Sequence, residues 1–352
     1  MEREVEEAVQ QEGELRERIR DVVFPRLSRR PGAPKDAGVR QAHAEDVAKV
    51  HRGLLFNGAV ESCDGTCVVN DRLPLTIVQI GVCLVSYRGD QGSWVHRLFR
   101  RDLRVRGADP VDEALELLER RRQRSGYDLS SRRDTLSELA RRGLMTYAER
   151  AVLLHRSNAP WRMGHGNPTP YELLTGSGMV ELLKRSLELL DELVLDHQRF
   201  VFVPSAPASR MYFTIGNALR PLEYAIVDTA EPGIRRLLRG HYRGEWAPVA
   251  STVERFAAGA GSKIVVGVYR ASAMAPPQVF YAHADHAHEA ALIAIADSVL
   301  QEHRGFPMLI DLADTVCGST FGADSFGALT ELAYVEAGAP YQYSPERQTR
   351  NT

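Results

Sequence analysis

The stretch Ala59-Val60-Glu61-Ser62-Cys63-Asp64-Gly65-Thr66 decides how the chain is read. A first strand continues from it through Cys67, Val68 and Val69 to a turn at Asn70-Asp71. A second apolar run covers Leu75 to Tyr87, a turn follows at Arg88-Gly89-Asp90-Gln91-Gly92, and a third strand runs from about Trp94 to Val105. Turn-forming residues between β-rich runs predict an antiparallel meander. Asp64 falls on its first strand with a glycine beside it. Asp-Gly is also a common turn pair, so Asp64 has a plain structural reading as well.

Working outward, residues 1–23 read as a charged helix with Val5, Ala8, Leu15, Ile19 and Val22 at its apolar positions, and Arg26 to Arg40 as a linker. Together they form an arm and linker over 1–45. Past the meander, Val111–Arg124 and Thr135–His155 carry apolar residues at three- and four-residue spacing, which predicts helices. Pro160, Gly164, Gly166, Pro168 and Pro170 break that pattern, and Gly178–Asp196 resumes it, so a helical insertion is expected over about 110–196. Phe200–Val203 reads as a buried strand, Ser209–Leu219 as a helix and Leu222–Val227 as a strand. Strands follow at Lys263–Arg270 and Gln278–Ala282, then a helix from about His286 to Glu302 with Asp285 as its cap. Helices near Met308–Val316 and Asp324–Glu336 close the main domain, 46–340, and 341–352 is a polar tail. Meander, alternating elements and a final β–β–α order predict a mixed α/β sheet with helices on both faces.

Composition narrows the classes. The 352 residues are 44% hydrophobic and carry a net charge of only -2, so no global polycation announces nucleic-acid binding. Lysine occurs only at 35, 49, 184 and 263, and the positive charge is otherwise arginine. Four cysteines without zinc or disulfide spacing point to a reducing cytoplasm. The acidic N-terminus does not resemble a signal peptide, and the run Leu75–Tyr87 is too short to span a bilayer.

Four positions stand out for chemistry. Asp64 leads, followed by Glu149, which precedes the apolar run Ala151-Val152-Leu153-Leu154; Glu138 and Glu172 compete with it. The cluster Tyr281-Ala282-His283-Ala284-Asp285-His286-Ala287-His288-Glu289 contains metal-ligand residue types, but it straddles a strand–helix junction where capping is the better explanation. The stretch Arg97–Arg142 is the most basic, and Arg100, Arg101, Arg104, Arg121 and Arg122 are candidates for a phosphate backbone. Acidic residues interleaved among them fit solvated helix faces equally well.

Ribonuclease-H-like nucleases present their first metal-binding carboxylate on the first strand of such a meander. More specifically, the order of short motifs from Ala59 to Glu336 resembles the NurA family, nucleases that partner HerA-type hexameric ATPases. The motifs are Asp64-Gly65-Thr66, the helix Tyr147-Ala148-Glu149-Arg150-Ala151, the slot Gly164-His165-Gly166-Asn167-Pro168 before a Leu-rich helix, and Gly305-Phe306-Pro307 followed by Leu312-Ala313-Asp314. His165 stands where the family has a second Asp, Phe306 replaces a Tyr, and Asp314 replaces a His. The resemblance implies a ribonuclease-H-like fold and a Mn²⁺ or Mg²⁺ site of Asp64, Glu149, His165 and Asp314. It also implies DNA cleavage as a homodimer docked on a HerA-like hexameric ATPase, in end processing or defence against foreign DNA. Two other readings are a catalytically silent adaptor for that ATPase and a ribonuclease-H-like hydrolase acting on RNA.

Overall fold

A computed structural model describes residues 1–71, 75–101, 136–206, 209–242 and 246–338. The meander is present. Strands β2 (Val60–Asp71), β3 (Leu75–Ser86) and β4 (Gly89–Arg101) pair antiparallel in sequence order. The β3–β4 turn is tighter than the residues Arg88–Gly92 suggest: Ser86 pairs with Gly89, and a bulge at Leu84/Val85 takes up the irregularity. The segment of the third strand beyond 101 lies outside the described residues, as do the predicted helix Val111–Arg124 and the tail 341–352.

Among the described residues, nine strands form one mixed sheet in the order β1-β7-β8-β9-β6-β5-β2-β3-β4. The remaining strands are β1 (Gly38–Gln41), β5 (Trp161–His165), β6 (Phe200–Val203), β7 (Glu223–Thr229), β8 (Ile264–Tyr269) and β9 (Gln278–His283). β5 runs parallel to β2, and β6 parallel to β5. A meander whose first strand has two successive parallel neighbours on its other side matches the strand order expected from the sequence. The other half, β9-β8-β7-β1, is antiparallel throughout.

Helices cover both faces. On one lie α3 (Glu138–His155), α4 (Tyr171–Leu174), α5 (Val180–Asp191), α6 (Arg210–Asn217), α7 (Glu231–His241) and α8 (Ala247–Phe256), packed through Leu153, Leu173, Leu190, Ile215, Ile234 and Phe256. On the other, α2 (Ala44–Val50), α9 (Ala287–Ser298) and α10 (Met308–Phe321) pack through Val50, Ile293 and Leu309. Helix α11 (Ala323–Glu336) ends the described chain. No described helix is long and apolar enough to cross a membrane.

Three expectations, on segment 110–196, the linker and Asp285, are corrected, and the helical arm is placed. Segment 110–196 is not purely helical, because β5 lies inside it. The linker ends in a sheet strand, β1, whose Val39 pairs with Ala225. In the arm, α1 (Glu2–Arg18) buries no residue, and Val5, Leu15 and Val22 are exposed. The arm is instead held by Ile19, by Leu27 and by the Arg20–Glu223 ion pair at 2.7 Å. Finally, Asp285 caps nothing. The His283 ring accepts from the Asp285 backbone N–H, and the Asp285 carboxylate faces Lys35 at 3.7 Å.

β5 escapes sequence reading because Gly164 interrupts it, yet glycine is required there. A Cβ on Gly164 would lie 2.1 Å from Cε1 of Phe202, which is 1% exposed on the neighbouring strand. Gly164→Ala is expected to destabilise the protein by about 3 kcal/mol through overpacking. A urea midpoint within experimental error of wild type would refute this close packing.

Candidate active site

The parallel pairing of β2 with β5 stops at Cys63↔Gly164. Past that point β2 continues with β3, while β5 ends at His165, so a crevice opens between them at the carboxyl end of β5. Crevices of this kind are where α/β sheets place ligands.

Side-chain alternation fills the crevice. Val60 and Val85 belong to the core beneath α10, and Cys63 and Leu84 to the core beneath α3. Asp64, on the Val60 side of β2, therefore points toward α10. On β5, Trp161 and Met163 face the same way, and so does His165. Helix α10 brings Asp314 to the opening. Asp64 is 6% exposed, His165 is half-buried and Asp314 is exposed, which makes Asp64 the floor of the site.

His165 Nδ1 lies 3.7 Å from Asp64 Oδ1, and Nε2 lies 3.1 Å from Ser205 Oγ. The Asp64 carboxylate raises the His165 pKa above its ordinary value against the opposing effect of burial. Asp314 is raised as well, first by burial and then by the charge and hydrogen bond of Asp64. Carboxylates that feel each other's charge are eased by a proton or a cation nearby. The Phe306 ring stands edge-on to His165, centroids 6.1 Å apart.

Glu149 arrives from α3 on the opposite face. It packs against β2 where Gly65 has no side chain: a Cβ there would be 2.7 Å from Glu149 Oε1. Burial pushes the Glu149 carboxyl up to about 7, partly offset by Arg150, and the charges of Asp64 and His165 also act on it. The competing glutamates face elsewhere, since Glu138 and Glu172 both pair with Arg142.

Two further residues shape the site and were not singled out in the sequence. Arg150 is 4% exposed and pairs with the Glu149 carboxylate. Its position next to an apolar run was the available signal, because a guanidinium there requires buried partners. Asp297, fully buried, accepts the Leu309 N–H at 2.8 Å and a short hydrogen bond from Tyr87, which fixes the start of the helix bearing Asp314. Of the basic candidates, Arg100 lies on β4. The Arg101 side chain and all of Arg104, Arg121 and Arg122 lie outside the described residues.

Together the residues offer the Asp64 and Asp314 carboxylates and the His165 imidazole on the α10 side, and the Glu149 carboxylate against Gly65 on the α3 side. This donor set suits a hard or borderline divalent cation. The Glu149–Arg150 ion pair withdraws one ligand, and no group of three such side chains among the described residues converges as metal ligands.

The raised carboxyls set a pH dependence. Glu149, at about 7 against an ordinary 4.5, and Asp297, raised to about 6 from 3.8 by burial, hold protons in the native state that the unfolded chain has released. Native stability therefore falls as pH rises through this window. Urea unfolding in EDTA across this range should show the decline, and Glu149→Gln should flatten it. Stability rising with pH would contradict the assignment.

No family model and no curated protein matches this chain. Among solved structures, it is similar to the crystal structure of the NurA nuclease from Sulfolobus solfataricus, at 9% identity and a TM-score of 0.43 over 81% of this chain and 86% of that one. It is also similar to a crystal structure of NurA with manganese, at 10% identity and 0.41 over 91% and 97%. A further NurA crystal structure gives 10% identity and 0.42 over 90% and 93%. Folds host many activities, so function has to be read from the side chains.

Proposed function

We propose that the chain is a metal-dependent DNA nuclease whose site is built on Asp64, with His165, Asp314 and Glu149 completing the ligand set. The observation that carries this reading is the buried Asp64 carboxylate 3.7 Å from His165 Nδ1 at the opening between β2 and β5, with Asp314 near enough to feel the Asp64 charge. A bound Mn²⁺ or Mg²⁺ supplies water activation and neutralises charge on the scissile phosphate. The chain's own residues prepare the site. β2 fixes Asp64 on the floor, Ser205 orients the His165 ring, and Asp297 anchors the helix that carries Asp314. Gly65 leaves room for the Glu149 carboxylate.

DNA as substrate, a homodimeric unit and a HerA-like hexameric ATPase as partner are supported by the order of sequence motifs, and Arg100, Arg101, Arg104, Arg121 and Arg122 as the grip on DNA by the basic run from Arg97 to Arg142. End processing and defence against foreign DNA both suit such an assembly. The test is cleavage of linear single- and double-stranded DNA with Mn²⁺ or Mg²⁺, with and without the ATPase, and with RNA as competitor. Metal-dependent DNA cleavage supports the reading; preferential RNA cleavage replaces the substrate.

One observation favours a second reading. The Glu149 carboxylate is already engaged by Arg150. A site that cannot recruit Glu149 would leave a silent adaptor on a nuclease fold, which binds the ATPase and cleaves nothing under any metal condition.

A further inference from the structure

Arg150 is a buried cation beside a proposed metal ligand, an arrangement that needs a reason. Its guanidinium is fixed by more than Glu149. Nη1 donates to Thr146 O at 3.4 Å, and Nη2 donates to His165 O at 3.2 Å and to Asn167 O at 2.8 Å. The guanidinium carbon also lies over the Phe202 ring, 5.4 Å from its centroid. Three backbone carbonyls and an aromatic face thus hold the cation in place whether or not Glu149 is there. Glu149 is different. Among the described residues it is the one carboxylate paired with the guanidinium, and its other oxygen, Oε1, lies against Gly65.

Resting on the metal-site reading above, we infer that Arg150 is the internal counter-ion of the site. It neutralises Glu149 while no metal is bound and competes with a divalent cation for the same carboxylate. A buried carboxylate without a partner is costly, so the metal-free protein needs this cation. The same positive charge lowers metal affinity, because like charges near one site repel. Arg150 is a positioning residue that does not touch the metal. Its contacts to the His165 and Asn167 carbonyls, at and just past the end of β5, also tie the strand end carrying His165 to the helix carrying Glu149.

A purely structural arginine and a counter-ion predict opposite signs. Loss of a structural arginine loosens the ligand set and weakens metal binding. Loss of a counter-ion frees Glu149 and strengthens it. The experiment is calorimetric titration of MnCl₂ into the metal-stripped full-length protein at pH 8, for wild type, Arg150→Gln, Arg150→Lys and Asp64→Ala. Arg150→Gln is expected to bind Mn²⁺ about tenfold more tightly than wild type. Arg150→Lys, which keeps the charge but offers a single-point partner, should fall between them. Arg150→Gln should also show a lower thermal midpoint than wild type in EDTA and a larger upward shift with Mn²⁺. If Arg150→Gln does not fold, Arg150→Lys decides by the same sign. A variant that binds Mn²⁺ no more tightly than wild type overturns the counter-ion role and leaves the metal site standing. Wild type that binds no more Mn²⁺ than Asp64→Ala overturns the metal reading and this inference together.

Discussion

Asp64→Asn is expected to lower metal-dependent DNA cleavage by about 10³-fold or more, because it removes the one carboxylate shared by every proposed contact of the site. The substitution is nearly isosteric at a position 6% exposed, so packing is preserved. It also relieves the like-charge repulsion on Asp314, one of the causes that raise that carboxyl. The metal-free variant should therefore unfold at or slightly above the wild-type temperature while cleaving nothing. Loss of cleavage with unchanged stability is a pattern that a general structural role of Asp64 does not produce. Cleavage within tenfold of wild type would remove Asp64 from the chemistry.

Gly65→Ala tests the other side of the crevice. Gly65 has no unusual backbone conformation, so the effect acts through the added methyl alone. That methyl would stand 2.7 Å from Glu149 Oε1 and 2.9 Å from its Cγ. Both atoms belong to a flexible side chain, which can move aside at a stability cost of about 1 kcal/mol. The carboxylate that moves is the proposed ligand, and a displacement of about 1 Å in such a group costs roughly 100-fold in rate. Cleavage should therefore fall far more than stability. A variant that keeps full activity would show that Glu149 does not work from the position it holds beside Gly65.

The site was legible where chemistry and local pattern coincide. Asp64 was visible because an acidic residue followed by glycine starts a strand within a meander, and turn residues on both sides fixed that meander. Asp314 and His165 became visible only through the order of motifs; neither periodicity nor spacing places them beside Asp64. Their meeting depends on β5, a strand that reads as broken because its glycine serves the Phe202 ring on β6. Long-range packing of that sort leaves no local trace. The same holds for β1, four residues whose partners are nearly two hundred positions away on β7. Asp297 is a further case: a carboxylate in an alanine-rich helix looks like a surface residue until α10 presents the Leu309 N–H to it. Arg150 was within reach of the sequence, since a guanidinium beside Ala151-Val152-Leu153-Leu154 has to be paired.

Asp285 shows the reverse error. Its place before a helix matches the preference for acidic caps, yet the His283 ring accepts the N–H of Asp285 itself, and the helix starts after His286. Cap preference ranks residue types at a position, and a neighbour with a better-placed acceptor overrides it.

Locating the metal tests the central claim most directly. A crystal of the full chain soaked in MnCl₂, with anomalous diffraction collected above the manganese edge, should show a peak at coordination distance from the Asp64 carboxylate, with His165 and Asp314 around it. The same crystal form of Asp64→Asn should lack the peak. A strong site elsewhere, or none at Asp64 under Mn²⁺ concentrations that support cleavage, would contradict the account.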